Sequence, residues 1–189
     1  MTKLYEVEVK RKLDTDRESL VAALRENGYS QGEIVVETDD YYSRTDVDYM
    51  KTVECLRVRN TGKKREITYK PPTTDFTATT IIKEEKNLPL SSDEDVEIAK
   101  DLLLAIGMVH LVKVEKYRQS FTKSRKNHDV TITLDSLPGV GDYIEVEVLS
   151  TDPSDAEIAV SEVETELSLK SMPLVTLPYR GIVMQSKKV

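Results

Sequence analysis

The 189-residue sequence is poor in several residue types, and each shortage excludes something. It holds one cysteine (Cys55), no tryptophan, two phenylalanines and two histidines. A single cysteine rules out an intrachain disulfide and a cysteine-based zinc site, and it fits a reducing compartment, so a cytoplasmic location is expected. No apolar run is long enough to span a bilayer, and Met1-Thr2-Lys3-Leu4 leads directly into a strand-like segment; neither a signal peptide nor a membrane partner is expected. Positive charge is in deficit, 27 Lys and Arg against 34 Asp and Glu, a net charge of −7. There is no overall basic field to attract nucleic acid, although a local basic cluster still suits a small anion. Glycine is scarce at seven residues, and no Gly-x-x-x-x-Gly-Lys-Ser/Thr occurs, which excludes a P-loop. Pro138-Gly139-Val140-Gly141 reads as a turn before a strand. His110 and His128 have no Ser-His-Asp context and read as surface or loop residues.

What the sequence does have is alternation. In Tyr5-Glu6-Val7-Glu8-Val9-Lys10 the residues Glu6, Glu8 and Lys10 share one face of a strand, and Val7 and Val9 share the other. The pattern recurs. Leu56-Arg57-Val58-Arg59 puts two arginines on one face, and Thr68-Tyr69-Lys70 sets Lys70 opposite Tyr69. Lys116 aligns with Arg118, Asp135 follows Leu134, and Ile144-Glu145-Val146-Glu147-Val148 mirrors the opening strand. Such faces either lie in water, or point together into a wet interior filled by ions or ligand; the pattern alone leaves both open.

Asp14 to Asn27, Asp93 to Ile106 and Ser154 to Leu169 read as helices. The first is capped by Asp14 or Asp16 and stopped by Gly28. The second has Val96, Ala99, Leu102, Leu103 and Ile106 on its apolar side and ends at Gly107. Strand-like runs also lie at 33–37, 55–60, 66–70, 79–85, 112–121, 130–135 and 143–149, and Pro71 to Thr80 reads as a loop. A weak internal repeat emerges: a charged strand, a helix ending in Gly, then paired strands, once in each half. Helices separated by several strands favour a mostly antiparallel sheet, which with about eight strands can close into a barrel. The whole of 1–189 is expected to be one domain.

The chemistry of the charged faces is specific. Carboxylates without a nearby His or Cys select hard cations such as Mg²⁺ or Mn²⁺. Arginine forks and lysines match phosphate oxygens. Together they point to a metal-chelated polyphosphate.

The ordered set Glu6-x-Glu8-x-Lys10, Leu56-Arg57-Val58-Arg59, Thr68-Tyr69-Lys70, Lys116-x-Arg118 and Asp135…Gly141-Asp142-Tyr143-Ile144-Glu145-Val146-Glu147 resembles the motifs of the CYTH superfamily. These are the triphosphate tunnel metalloenzymes, among them class IV adenylyl cyclases and thiamine triphosphatases. The resemblance implies an α+β fold, an antiparallel eight-stranded β-barrel forming a triphosphate tunnel, with helices packed outside. It implies a substrate-binding set of Lys10, Arg57, Arg59, Lys70, Lys83, Lys116 and Arg118. It implies a metal set of Glu6, Glu8, Glu85, Asp135, Glu145 and Glu147, with Mg²⁺ or Mn²⁺ as cofactor and Glu6, Glu8 and Lys10 closest to catalysis. The family's fourth-strand motif, Arg-x-Glu-x-Glu, is represented by Lys83-x-Glu85-x-Asn87. Near the end, Pro178-Tyr179-Arg180 keeps the tyrosine of a family Ser-Tyr pair and loses the serine.

The expected activity is metal-dependent hydrolysis of a small triphosphate: tripolyphosphate, ATP or thiamine triphosphate. The alternative is a class IV cyclase converting ATP to cyclic AMP and pyrophosphate, and the third reading is a non-catalytic polyphosphate- or nucleotide-binding module. The chain has Lys3-Leu4-Tyr5 where bacterial class IV cyclases resemble one another in a His-Phe segment, which favours hydrolysis. Asp40-Tyr41-Tyr42 looks cyclase-like. A homodimer is compatible with the sequence.

Overall fold

The alternation at the start of the chain becomes strand β1 (Tyr5–Lys12), which buries Val7 and Val9 on one side and carries Glu6, Glu8 and Lys10 on the other. The computed structural model describes residues 5–72, 81–83, 85–125 and 128–187, with the backbone alone for 81–83. After β1 come α1 (Arg17–Glu26), β2 (Ser30–Ser43), β3 (Cys55–Asn60), β4 (Arg65–Lys70), β5 (Ile81–Lys83), β6 (Lys86–Leu90) and α2 (Asp93–Ala105). Then follow β7 (Val109–Ser124), β8 (Asp129–Leu137), β9 (Gly141–Ser150), α3 (Pro153–Glu166), a short 3-10 turn at Leu169–Ser171 and α4 (Tyr179–Ser186). Each described pairing is antiparallel, so the class is α+β with an antiparallel sheet, as expected.

The chain divides into two compact units. The first is drawn from Met1–Val35, Asp75–Lys83 and Tyr117–Thr176. Its strands run β5-β1-β9-β8 and then the C-terminal part of β7. Beyond β5, the open side of β1 is met by the chain after α3: Lys12 N–H donates to Pro173 O, and Val175 N–H donates to Lys10 O. On the apolar side Val7, Val9, Phe121, Val130, Ile132, Leu134, Ile144, Val146 and Val148 form one core with Leu20 and Leu24 of α1 and Ala156, Ala159, Val160 and Val163 of α3.

The second unit is drawn from Val36–Thr74, Glu84–Lys116 and Leu177–Val189. Here β2 pairs with β3, β3 with β4 and β4 with β6. Helix α2 lays Val96, Ala99 and Leu103 on Tyr42, Leu56 and Val58, with Ile67 and Tyr69 at the margin. The internal repeat is therefore exchanged. α1, from the first half of the sequence, covers strands of the second half, and α2 covers β3 and β4 of the first half.

Helix ends follow local chemistry. The Asp16 carboxylate accepts from Ser19 N–H at the start of α1, and Gly28 takes the left-handed conformation (φ 79°) after its end. Ser92 and Asp95 form a reciprocal capping box on α2. Asp152 caps α3 with Pro153 in its first turn.

Two expectations need correction. In α2, Leu102 and Ile106 are 56 % and 67 % exposed, because the helix rotates only Val96, Ala99 and Leu103 onto the sheet. The strand expected at 79–85 is described only as the short β5, and it is followed by β6, for which no strand was expected. β6 accommodates Pro89 because it is the last strand in the sheet order, paired on one side with β4. Finally, α4 occupies the segment whose role the Pro178-Tyr179-Arg180 departure had left open. The loop expected at Pro71 to Thr80 lies outside the described residues after position 72.

Candidate functional site

Each unit presents one charged sheet face, opposite α1 and α3 in the first unit and opposite α2 in the second. In the first unit the register of β1 and β9 fixes the arrangement: Glu8 lies opposite Glu147, and Lys10 opposite Glu145. Lys10 Nζ is 3.3 Å from Glu145 Oε1 and 3.7 Å from Glu8 Oε1, and the side chain is only 5 % exposed. On the far side of β9, β8 supplies Asp135, which is fully buried. Asp135 faces Arg118 across the β7–β8 pair and takes it as a fork: Arg118 Nε donates to Oδ1 at 2.7 Å and Nη2 donates to Oδ2. The same Nη2 also donates to Glu145 Oε2. Lys10, Arg118, Asp135 and Glu145 thus form one buried network, with Glu8 at its edge. Glu6 and Glu147 are half-buried on the same strand faces. Lys83 pairs by backbone with Glu6, and its side chain lies outside the described residues.

The protonation state of Lys10 follows from this network. Burial opposes its charge, but Glu145 and Glu8, with Asp135 behind them, hold its pKa above the ordinary lysine value. Lys10 is therefore an ammonium at neutral pH. It can bind and stabilise negative charge, and it cannot act as a general base there.

In the second unit Arg57 and Arg59 project from β3 beside β2. Arg59 Nε and Nη2 each donate to Asp39 at 2.7 Å, and Arg59 Nη2 is 3.2 Å from Glu37 Oε2. Lys116 Nζ is 3.2 Å from the same Glu37 oxygen and 4.8 Å from the centre of the Tyr179 ring. Arg57 reaches Asp39 at 3.6 Å and Glu85 at 4.0 Å, and Lys70 Nζ is 3.1 Å from Glu85 Oε2. Lys116 is 2 % exposed and Asp39 2 %. Burial pushes the Asp39 carboxyl up, but Arg57, Arg59 and Lys116 outweigh it and hold the group well below the usual carboxylate range.

The positions expected from the sequence thus fall into two sets. Lys10, Arg118, Asp135, Glu145 and Glu8 come together in the first unit. Arg57, Arg59, Lys70 and Lys116 come together in the second. Glu85, expected on the metal side, stands between Arg57 and Lys70. Sequence reasoning missed Glu37, Asp39 and Tyr41, which form the β2 side of the second set. Their signal was present as the alternation Glu37-x-Asp39-x-Tyr41, hidden because the strand was read as ending at Glu37 when it continues to Ser43. It also missed Glu66, a buried carboxylate 2.9 Å from Lys64 Nζ.

A hard cation suits the donors of the first unit, which are carboxylate oxygens with no sulfur or imidazole among them. Glu8 and Glu147 lie directly opposite on paired strands, a like-charge placement that disfavours the sheet unless positive charge is shared between them. Among the described residues no three His, Cys, Asp or Glu side chains are already gathered as a metal cage; Lys10 and Arg118 hold the nearest carboxylates.

The CYTH domain profile matches residues 4–175. The chain belongs to the CYTH domain family. A Methanocaldococcus jannaschii CYTH relative, provisionally named an adenylate cyclase, is 26% identical over 159 residues, 84% of this chain and 85% of that one. A solved Pyrococcus horikoshii protein shares 27% identity at a TM-score of 0.76 and covers 95% of this chain and 98% of its own. A Hippeastrum protein, provisionally named an adenylyl cyclase and described as having a dominant triphosphatase activity, is 14% identical. Its TM-score is 0.61 with 97% of both chains covered, and that likeness shows the fold alone.

Proposed function

We propose that this CYTH protein is a metal-dependent enzyme that hydrolyses a small inorganic or organic triphosphate. The observation that carries the reading is the gathering of Arg57, Arg59, Lys70 and Lys116 on one sheet face, Lys116 buried and the other three half-buried, a density of cations that suits a polyanion far better than a neutral ligand. Phosphate binding is assigned to these four in the second unit, and to Lys10, Arg118 and Lys83 in the first. Metal binding is assigned to Glu6, Glu8, Glu145 and Glu147, with Asp135 and Glu85 supporting neighbouring cations in this structure. A Mg²⁺ or Mn²⁺ ion held there would neutralise phosphate oxygens and polarise the P–O bond to be broken.

The residues bind, orient and neutralise. The arginines and lysines spread the charge of the triphosphate and favour the still greater charge separation of the transition state. Lys10, kept protonated by its carboxylates, stabilises negative charge. Water attacks the terminal phosphorus, the bond to the bridging oxygen breaks, and diphosphate leaves with the electron pair; phosphate is the other product. The solved Hippeastrum protein described as having a dominant triphosphatase activity shows that the fold is compatible with this choice. The provisional name of the Methanocaldococcus relative supports the alternative, attack of a ribose 3′-hydroxyl on the α-phosphorus of ATP. Phosphate release from tripolyphosphate, ATP and thiamine triphosphate, with Mg²⁺ or Mn²⁺ and then with a chelator, tests the proposal. Release that needs the cation is expected. Binding without turnover of any of the three would make the protein a binding module instead.

A further inference from the structure

Phosphate binding by the second unit gives no role to Asp39, the most deeply buried acid on its charged face. Asp39 lies on β2 directly across from Arg59 on β3. Both of its oxygens are taken by Arg59, at 2.7 Å each, and Tyr41 Oη donates to Oδ2 at 3.3 Å. Arg57 Nη1 approaches the same Oδ2 at 3.6 Å. Arg57 Nε is buried and has no hydrogen-bond partner among the described residues. One carboxylate thus accepts two hydrogen bonds from one guanidinium and steadies another. We infer that Asp39 is a positioning residue: it locks Arg59 as a fork and holds the Arg57 guanidinium beside it. This deepens the triphosphate-processing reading and rests on it.

The physical need is clear. Arg57 and Arg59 are alternate residues of one strand, two like charges on one face with long and flexible side chains. Without a counter-charge they would swing apart, and each would have to be ordered again when the ligand arrives, which weakens binding. A short aspartate fixed by the β2–β3 register orders both before any ligand is present. A bidentate contact sets direction as well as charge. The Tyr41 hydroxyl fixes the carboxylate in turn, and the Tyr41 ring lies 5.8 Å under the guanidinium of Arg180, itself fully packed and donating to Tyr49 O at 2.9 Å. The fork is therefore braced from α4 and cannot drift as a surface pair would.

Two simpler roles compete. If Asp39 only balances charge, any carboxylate at that position serves. If it only holds the fold, its loss lowers stability and weakens every ligand alike. Asp39→Glu separates them, because it keeps the charge and displaces the oxygens by one methylene. Calorimetric affinities for tripolyphosphate and orthophosphate, with Mg²⁺ present, are compared with the thermal midpoint and with kcat and KM. The inference expects Asp39→Glu to weaken tripolyphosphate by about tenfold or more, with orthophosphate changed by no more than about twofold, because only the longer ligand needs both guanidiniums in register. KM should rise more than kcat falls. Asp39→Asn strips the buried arginines of their counter-charge and can fail to fold, so the glutamate variant is decisive. Wild-type affinity for tripolyphosphate in Asp39→Glu would overturn the inference, as would equal losses for both ligands alongside a lowered midpoint. If the wild-type protein itself bound neither tripolyphosphate nor ATP, the functional reading would fall first and this inference with it.

Discussion

Two fully packed carboxylates, Asp39 and Asp135, each sit across a strand pair from an arginine that gives them two hydrogen bonds. The two forks occupy matching places in the internal repeat, Asp39 with Arg59 on β2 and β3, and Arg118 with Asp135 on β7 and β8. Asp39 makes a testable contribution to stability. Burial raises its pKa, but the nearby Arg57, Arg59 and Lys116 lower it further, so the folded value lies below the ordinary 3.8. Such a group contributes its stability in full above the unfolded value and loses it as pH falls toward the folded one. Denaturation midpoints should therefore drop below about pH 4, and the drop should be shallower in a folded Asp39→Asn variant. Identical acid slopes in the two proteins would contradict the assignment. The pair Glu8 and Glu147 predicts the opposite sign for stability. Glu147→Gln removes one of two facing acids, so the thermal midpoint should hold or rise, by roughly 0.2–1 kcal/mol of relieved repulsion. Metal-dependent turnover should disappear at the same time. Full activity at saturating Mg²⁺ would remove Glu147 from the metal set.

At the scale of the element, α4 shows how a short helix is seated. Gly181 lies so close to its neighbours that an added Cβ would meet Leu177 Cδ1 at 2.8 Å, Leu177 Cγ at 2.9 Å and Met50 Cε at 2.9 Å. The same helix places Tyr179 beneath Lys116 and Arg180 over Tyr41. Gly181→Ala should gain helix propensity yet lose more to overpacking, a net destabilisation of about 1 kcal/mol, and should weaken triphosphate binding by shifting Tyr179 and Arg180. Thermal melting and tripolyphosphate titration of the variant check both; a stabilised variant with unchanged affinity would show that α4 is indifferent to the site. The contrast between elements also explains what was legible in the sequence. β1, β3 and β9 alternate cleanly, so their faces and site residues could be read directly. α2 could be read as a helix but not in its rotation, because Leu102 and Ile106 continue the apolar stripe without reaching the sheet. β6 was obscured by Pro89. The β2 contribution was obscured by length: Glu37, Asp39 and Tyr41 lie on the charged face of a strand that runs well past the apolar residues used to recognise it.

For the whole molecule, the net charge of −7 conceals a local excess of cations on the charged face of the second unit. Composition showed only that no overall basic field is present, and the parity of individual strands was what pointed to a small polyanion. Parity could not show that α1 and α2 cover the opposite half's strands, since that exchange depends on long-range packing and leaves no local trace. Nor could it show how firmly Asp39 and Asp135 hold their arginines, which depends on cross-strand register. The central claim concerns chemistry, and phosphorus NMR of the products tests it most directly. The purified protein is incubated with Mg²⁺ and tripolyphosphate, ATP or thiamine triphosphate, and every phosphorus-containing product is assigned. The account predicts diphosphate and phosphate in equal amounts from tripolyphosphate, ADP and phosphate from ATP, and neither when the metal is chelated. Cyclic AMP with pyrophosphate from ATP, or no hydrolysis of tripolyphosphate, ATP or thiamine triphosphate, would contradict it.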